Sequence, residues 1–550
     1  MAKSPLLRTI LWAHRQISGA RMAGMPVNEF VDKAKEVRHN RRDFLKNCAG
    51  VAAATAGLSA LPQDAFATTT TVTQPTVAII GGGMAGLNCA RILKSKGVKA
   101  TIYEASNRVS GRILTDKTTF AAQNMFNDLG AEYIDTGHTV MRQLATKYGL
   151  QLYDYNTDDK QIDPYYDFGG VRRTAMQVIN AYTPIAAAID FANDQFTDPD
   201  GTVMFNNPNG GEYYDNLSIR AFLATIPAEN WIKKLIEVAY EVEFGLDPNV
   251  NNTINLLYYI STNIKKMKQK GVFDVYGASD ERFHCTQGNE AIPKAMANTL
   301  TDRIQLGKNL RSIALRSDGK YVLTFACSHV VIADHVVSAI PFTILRQLDL
   351  SCLALPSWKT RAINQMGYGN VTKLFTGHTT PVWRAQGYVA NILTDRAFQT
   401  TTETSRMQPG TTGIIENYTA GSNALLNAQG TIAQQVTNFH NQAEAIFPGL
   451  KASYNGRKVR KAWNQNPFSK AAYSSYTIGQ YTTIAGAEPI RVGNLHFCGE
   501  HTTMDYQGWM EGAARTGADA ANEVLADLKM APPTTRINGR PGTAALTANG

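Results

Sequence analysis

No stretch restricts the fold of this chain more than Pro75 to Arg112, which reads as strand, glycine turn, helix, second strand and returning loop in unbroken order. Thr76-Val77-Ala78-Ile79-Ile80 is a short apolar run of the kind buried in parallel sheets, and it runs directly into Gly81-Gly82-Gly83-Met84-Ala85-Gly86. That hexapeptide fits G-x-G-x-x-G, whose glycines permit a tight turn, close approach of backbone to a pyrophosphate, and tight packing of helix on strand. Leu87, Ala90, Arg91 and Leu93 continue the helix until Lys96-Gly97 stops it, and Val98 to Tyr103 makes the next strand. Glu104 ends that strand 23 positions after Gly81, where an acid accepts hydrogen bonds from a ribose diol. A glycine-rich turn with no ligand is the alternative, and the complete strand, turn, helix, strand and acid context favours a dinucleotide site over it. Arg108-Val109-Ser110-Gly111-Arg112 then brings two guanidinium groups and a glycine back toward the pyrophosphate.

With 550 residues the chain has room for two or three domains, and 44% apolar with 18% charged residues describes an ordinary globular protein. The formal charge of +9 does not imply a nucleic-acid partner. Residues 1 to 67 contribute five of those nine charges, and no basic run with interleaved aromatics follows them. Six cysteines, none in C-x-x-C, argue against a metal site or a dense disulfide framework, and Cys89 reads as a buried small hydrophobe in the first helix. None of the ten histidines stands in a metal-ligand spacing, so no metal is expected.

Arg41-Arg42-Asp43-Phe44-Leu45-Lys46 resembles a twin-arginine export signal, followed by an Ala-rich stretch from Cys48 to Leu61 and small residues at Ala65-Phe66-Ala67. A helix start that happens to carry two arginines is the alternative. The signal implies a periplasmic or secreted protein, and this route carries proteins already folded, which suits a chain that folds around a bound dinucleotide. The apolar stretch is short for a membrane span, and no apolar tail supplies an anchor. Ala531-Pro532-Pro533 ends the last helix, and the polar tail to Gly550 is expected to be disordered.

Several separated motifs carry a resemblance to one family. Arg108 to Arg112 is similar to the R-x-G-G-R motif of flavin-containing amine oxidases, with Ser110 in place of one glycine. Met125 to Ile134, which includes Gly130, Ala131, Glu132 and Tyr133, resembles the segment that passes beside the flavin ring. His284 to Pro293 resembles the family's return to the nucleotide-binding domain. Leu495-His496-Phe497-Cys498-Gly499-Glu500 reads as a strand opening into a loop, and Trp509-Met510-Glu511-Gly512 begins a helix rich in small residues. The amino end of such a helix presents N–H groups and a positive dipole end to a flavin. From about Thr76 to Leu528 the chain thus resembles the flavin-dependent amine oxidases, which include monoamine, polyamine and L-amino-acid oxidases.

The resemblance implies an α/β fold with a Rossmann-type FAD-binding domain over residues 76–135, 285–345 and 490–528. A discontinuous α+β substrate domain with a helical portion would occupy 136–284 and 346–489. Within it, 154–216 reads as irregular apart from one helical stretch near Ala175 to Ala192, and Trp231, Ile232, Leu235, Ile236, Ala239 and Val242 read as a helical stripe for core packing. FAD contacts are implied for Gly81, Gly83, Met84, Ala85, Gly86, Glu104, Arg108, Gly111, Arg112, Gly130, Ala131, Glu132, Leu310, Gly499, Glu500 and Met510. Ala472 stands where monoamine oxidases carry the cysteine that binds flavin, which implies non-covalent FAD. Tyr473 and Trp509 match the two aromatic walls of the substrate cage, with Tyr133 beside them. Lys373, inside Tyr368 to Phe375, matches the lysine that is water-bridged to flavin N5, and desolvation is expected to lower its pKa.

The implied reaction is hydride transfer from the amine-bearing carbon to flavin N5, hydrolysis of the imine to an aldehyde or keto acid, and reoxidation by O2 to hydrogen peroxide. The partners are then a small amine and O2, and a homodimer stays open. L-amino-acid oxidases commonly carry an arginine in the segment matching Gly130 to Asp135, and this chain has none there, leaving Arg172, Arg173 or another arginine of the substrate domain to serve. A primary amine or polyamine is therefore favoured over an L-amino acid. Two rivals share the fold: desaturases or porphyrinogen oxidases, which usually lack the paired aromatics, and a non-catalytic flavin-binding protein.

Overall fold

Val77–Ile80 is buried at every position, as a strand covered on both faces must be, and it forms the centre of a five-stranded sheet. The computed structural model describes residues 75–158, 165–198 and 201–531. Across the sheet the strands run Leu495–Phe497, His335–Ser338, Val77–Ile80, Ala100–Tyr103 and Ile304–Gln305, all parallel. Their carboxyl ends, at Ile80, Tyr103, Ser338 and Phe497, share one edge, the crevice where open α/β sheets hold ligands. The helix Met84–Ser95 covers this sheet and packs against the C-terminal helix Met510–Asp527. The two approach closely because Gly517 lies on Ala85: a Cβ on Gly517 would sit 2.2 Å from the Ala85 carbonyl oxygen.

The second sheet has seven strands in the order Tyr454–Ala462, Val371–His378, Gly413–Ala420, Thr400–Glu403, Ile392–Thr394, Tyr165–Phe168, Val171–Arg173. Its last two strands correct the expectation of irregular chain between Asp154 and Asn216. Phe168 pairs with Val171 across Gly169-Gly170, whose φ angles of +66° and +70° make the two-residue turn that matches strand twist. A helix, Ala175–Asp194, follows, with Thr174 and Gln177 forming a capping box.

The stripe on Asn230–Phe244 packs as expected, with Ile232, Leu235, Ile236 and Ala239 fully buried. Among the described residues no helix is long and apolar enough to cross a membrane, and Cys89, Cys285 and Cys498 are buried without a disulfide. The twin-arginine segment, the Ala65-Phe66-Ala67 site and the tail from Pro532 lie outside the described residues.

Candidate active site

The glycine turn and the returning loop face each other. Gly81 adopts φ +105° and Gly111 φ +58°, and a Cβ built on Gly83 would meet only the Gly111 Cα, at 4.0 Å. Gly86, by contrast, sits so close to the Gly81 carbonyl that a Cβ would lie 2.1 Å from its oxygen. Met84, Ala85 and Gly86 form the buried first turn of a 12-residue helix whose N-cap, Gly83, supplies no side-chain acceptor. Its first N–H groups therefore open toward the crevice with a positive dipole end, which suits a diphosphate. Glu104 Oε2 accepts from Gly82 N at 2.7 Å and Oε1 from Ser106 N at 2.9 Å, placing its carboxylate at the turn. Lys308 N donates to the Glu104 carbonyl at 2.8 Å, so the strand that opens at Leu310 is tied to this end, with Leu310 buried in one core cluster with Tyr103 and Phe325. The cradle has the shape and donors for the adenosine diphosphate half of FAD.

The two arginines of the returning loop do not both face that diphosphate. Arg108 folds back on its own loop, donating to Gly111 O at 2.6 Å and Ser110 Oγ at 2.9 Å, and lies 3.4 Å from Glu290 Oε1. Ser110 holds φ +81°, a conformation natural to the glycine it replaces. Arg112 points the other way, to Ala472 O at 2.7 Å and Glu500 Oε1 at 2.8 Å. Glu500 Oε2 accepts from Ser474 Oγ at 2.7 Å and from Gly508 N at 2.8 Å, so one buried carboxylate joins three separated motifs. Burial opposes its ionisation, but Arg112, His501 and these donors outweigh it and hold the carboxyl below the usual range. Gly499 next to it adopts φ +142°, and Met510 starts the C-terminal helix buried, without a side-chain cap.

Lys373 is placed by sheet register. In the antiparallel pair Val371–His378 and Gly413–Ala420, Lys373 stands opposite Tyr418 and Phe375 opposite Glu416. Lys373 and Glu416 are thus diagonal neighbours on one face, 3.2 Å from Nζ to Oε1. The ammonium also donates to Glu132 Oε2 at 2.7 Å and to the carbonyls of Asp128 and Gly130, each at 3.1 Å. Ala131 follows, its N donating to Arg112 O at 3.3 Å, and Asn289 from the return segment bonds the carbonyls of Ala131 and Glu132. Burial alone would depress Lys373, as expected from its apolar neighbours, but Glu132 and Glu416 outweigh burial and hold the ammonium above the usual lysine range. The expectation of a lowered lysine is corrected: desolvation was legible in the strand, the acids were not.

Glu416 is the partner that sequence reasoning missed. Burial first, and then Glu132, push its carboxyl well above the usual range against the pull of Lys373. Glu132 Oε1 and Glu416 Oε1 have no hydrogen-bond partner, although the latter is within ion-pair distance of Lys373. The raised Glu416 carboxyl favours its protonated form beside Glu132.

The aromatic residues meet beside this cluster. Tyr473 Oη lies 2.9 Å from Tyr418 Oη and donates to Val242 O at 3.1 Å. A Cβ built on Gly508 would lie 3.6 Å from the Tyr473 ring, so the adjacent Trp509 starts near it. The Trp509 ring is 4.9 Å from His138, whose Nε2 is 3.6 Å from Asp135 Oδ2. Tyr133 stands 6.1 Å from Tyr155 between ring centroids, its hydroxyl 3.5 Å from Thr402 Oγ1. Ala472 packs with Val371 and Trp463.

Two further acids line this space, and nothing in the linear pattern marked them. Glu281 is held at φ +40° with its amide donating to Asp135 Oδ1 at 2.9 Å. Burial, then Glu243, Asp135 and Glu132, push its carboxyl up to about 8. Glu243, hydrogen-bonded to Tyr259, is pushed up to about 7, by burial and by Asp135. The arginines left to hold a carboxylate are engaged elsewhere: Arg172 lies 4.7 Å from the Tyr165 and Tyr388 rings and Arg173 4.6 Å from Trp231.

Residues 84–525 match the model of the flavin containing amine oxidoreductases. A flavin-containing amine oxidase of Danio rerio is 24% identical over 82% of this chain and 85% of its own length. An L-amino-acid oxidase of Sistrurus catenatus edwardsii is 22% identical over 82% of this chain and 86% of its own. The solved cyclohexylamine oxidase of Brevibacterium oxydans IH-35A superposes with a TM-score of 0.70 at 20% identity, covering 83% of this chain and 100% of that one. With most of its length matched and a glycine turn suited to FAD, the chain belongs to the flavin containing amine oxidoreductase family and is an FAD-dependent amine oxidase.

Proposed function

We propose that the enzyme oxidises an amine whose far end carries a second cationic group, with O2 and water giving an aldehyde, ammonia and hydrogen peroxide. The observation that carries this reading is the group of neighbouring acids Glu243, Glu281 and Asp135, with Glu243 close enough to Tyr473 to act on its hydroxyl and Asp135 joined through His138 to Trp509. Bound FAD supplies the two-electron acceptor for hydride leaving the amine-bearing carbon. Tyr473 and Trp509 hold the reacting amine by their faces and keep water from it. Lys373, fixed as a cation by Glu132 and Glu416, holds a proton donor at the floor of the site. Glu243 and Glu281 pair with the distal charge. Ala472 supplies no thiol, consistent with FAD held without a covalent bond.

Both acids are neutral below their raised pKa values, about 7 for Glu243 and about 8 for Glu281, and ionise as pH rises through them. The KM for a diamine should therefore fall relative to that of the equal-length monoamine as pH is raised from about 6 to 9. In a Glu243→Gln, Glu281→Gln double variant that advantage should shrink about 10-fold, equivalent to ~1.4 kcal/mol. A peroxide assay over diamines, monoamines and L-lysine reads the outcome, and an unchanged preference in the double variant sinks the assignment.

We also propose the division into an FAD-binding domain over 76–135, 285–345 and 490–528 and a substrate domain over the rest, in line with the membership of the two sheets. Export by the twin-arginine route remains our reading of Arg41-Arg42. Expression in a bacterial host should yield yellow periplasmic protein beginning after Ala67. An Arg41→Lys, Arg42→Lys variant exported equally well would refute the route.

A further inference from the structure

Outside the active site, the fold assembles a cluster that no spacing in the sequence announces. In the five-stranded sheet Val337 pairs with His496, and His335 lies two residues before Val337, so both histidines project from the same face of neighbouring strands. Asp527, the last residue of the C-terminal helix, closes the group. His335 Nδ1 is 3.5 Å from His496 Nε2, His335 Nδ1 is 3.7 Å from Asp527 Oδ2, and His496 Nε2 is 3.6 Å from Asp527 Oδ2. All three separations are long for hydrogen bonds between groups this enclosed, with His335 5% and His496 0% exposed. They are close to the ~3.4 Å edge of a tetrahedron drawn about a zinc ion from ordinary Zn–N and Zn–O lengths.

The surroundings support the same reading. His496 Nδ1 lies 2.8 Å from Glu523 Oε2, one helical turn before Asp527. A carboxylate on the far nitrogen turns the Nε2 lone pair toward the cluster and raises its basicity, the usual support of a metal-bound imidazole. Two imidazoles and one carboxylate form a borderline N/O set that favours zinc or a neighbouring first-row divalent ion over magnesium or calcium. One charge opposes this: Arg491 Nη1 pairs with Asp527 Oδ2. Its side chain is 41% exposed, so it can give way to an incoming ion while remaining in solvent.

We propose that His335, His496 and Asp527 form a binding site for one divalent transition-metal ion, zinc foremost, with water in the fourth position. The ion would clasp the sheet-edge strand, its neighbour and the end of the C-terminal helix, remote in sequence from the helix start at Met510. It binds and takes no part in the oxidation.

The test uses tag-free, FAD-loaded, full-length enzyme stripped with chelator and titrated with Zn²⁺, read by equilibrium dialysis with metal analysis and by thermal melting. One equivalent should bind saturably and raise the melting midpoint, with the flavin spectrum unchanged. Asp527→Asn and His335→Gln should abolish that equivalent, and Glu523→Gln should weaken it ~10- to 100-fold. Arg491→Ala, which removes the competing cation and no ligand, should tighten it, and this variant keeps the test decisive should His335→Gln fail to fold. No saturable binding to wild type, or equal binding to wild type and Asp527→Asn, overturns the proposal.

Discussion

Replacing Lys373 with Met will destabilise the protein and slow the reaction while the bound FAD stays. The stability loss is expected because Lys373 is the cation between two enclosed carboxyls, Glu132 and Glu416. Removing one partner of such a group costs ~3–5 kcal/mol, chiefly from the charge left behind. Retention of FAD follows from the distance in sequence and contact between Lys373 and the glycine cradle at Gly81 to Gly86 and Gly111. Amine-driven bleaching of the flavin under anaerobic conditions should fall ~100-fold or more, the scale of a positioned proton donor. The contribution of Lys373 to stability is present at neutral pH. Its folded pKa lies above the unfolded value, so the contribution is complete below the unfolded lysine range and is lost only as strongly alkaline pH is reached. Adding Glu132→Gln to Lys373→Met should restore most of the melting temperature and little of the rate. Equal melting curves for wild type and Lys373→Met would show that the three groups are not an ionic cluster.

The second large effect is expected at Gly517. An Ala there places Cβ 2.2 Å from the Ala85 carbonyl oxygen and 3.0 Å from its Cα, both backbone atoms that cannot rotate away. The C-terminal helix must then shift off the helix Met84–Ser95, breaking the Asn88 Nδ2 to Ala514 O bond of 2.7 Å as it goes. Overpacking of this kind costs ~1–3 kcal/mol, and here it moves two elements that border the cofactor crevice. Gly517→Ala should purify with most of its FAD lost, read from the ratio of flavin to protein absorbance, and added FAD should bind weakly. A yellow variant melting like wild type would show that the helices tolerate the shift.

The parts of this architecture that were legible in the chain are those with local causes. The run from Val77 to Glu104 declared strand, turn, helix and strand through neighbouring residues, and the Trp231 stripe declared a packed helix through its period. Phe168-Gly169-Gly170-Val171 was legible too, since a Gly-Gly pair between apolar residues is a hairpin signal, but the surrounding polar residues obscured it. Strand register, by contrast, is set between distant segments. Lys373 meets Glu416 because two strands align at Val371 and Ala420, and no pattern in either strand states that alignment. The sign of the lysine shift went astray for the same reason. The acids at 243 and 281 converge through a helix end and a strained loop residue, and His335 reaches His496 across a separation of 161 residues.

The sheet that carries the cofactor crevice takes its edge strand from Leu495–Phe497, and the helix beside its first helix ends at Asp527. A ribosome making this chain therefore emits the fingerprint early and must synthesise some four hundred further residues before the crevice acquires its last wall. Until then the first strands have the helix Met84–Ser95 against them but lack their neighbours His335–Ser338 and Leu495–Phe497. Flavin capture is consequently a late, post-translational event, and any chain terminated before the final helix will emerge without colour.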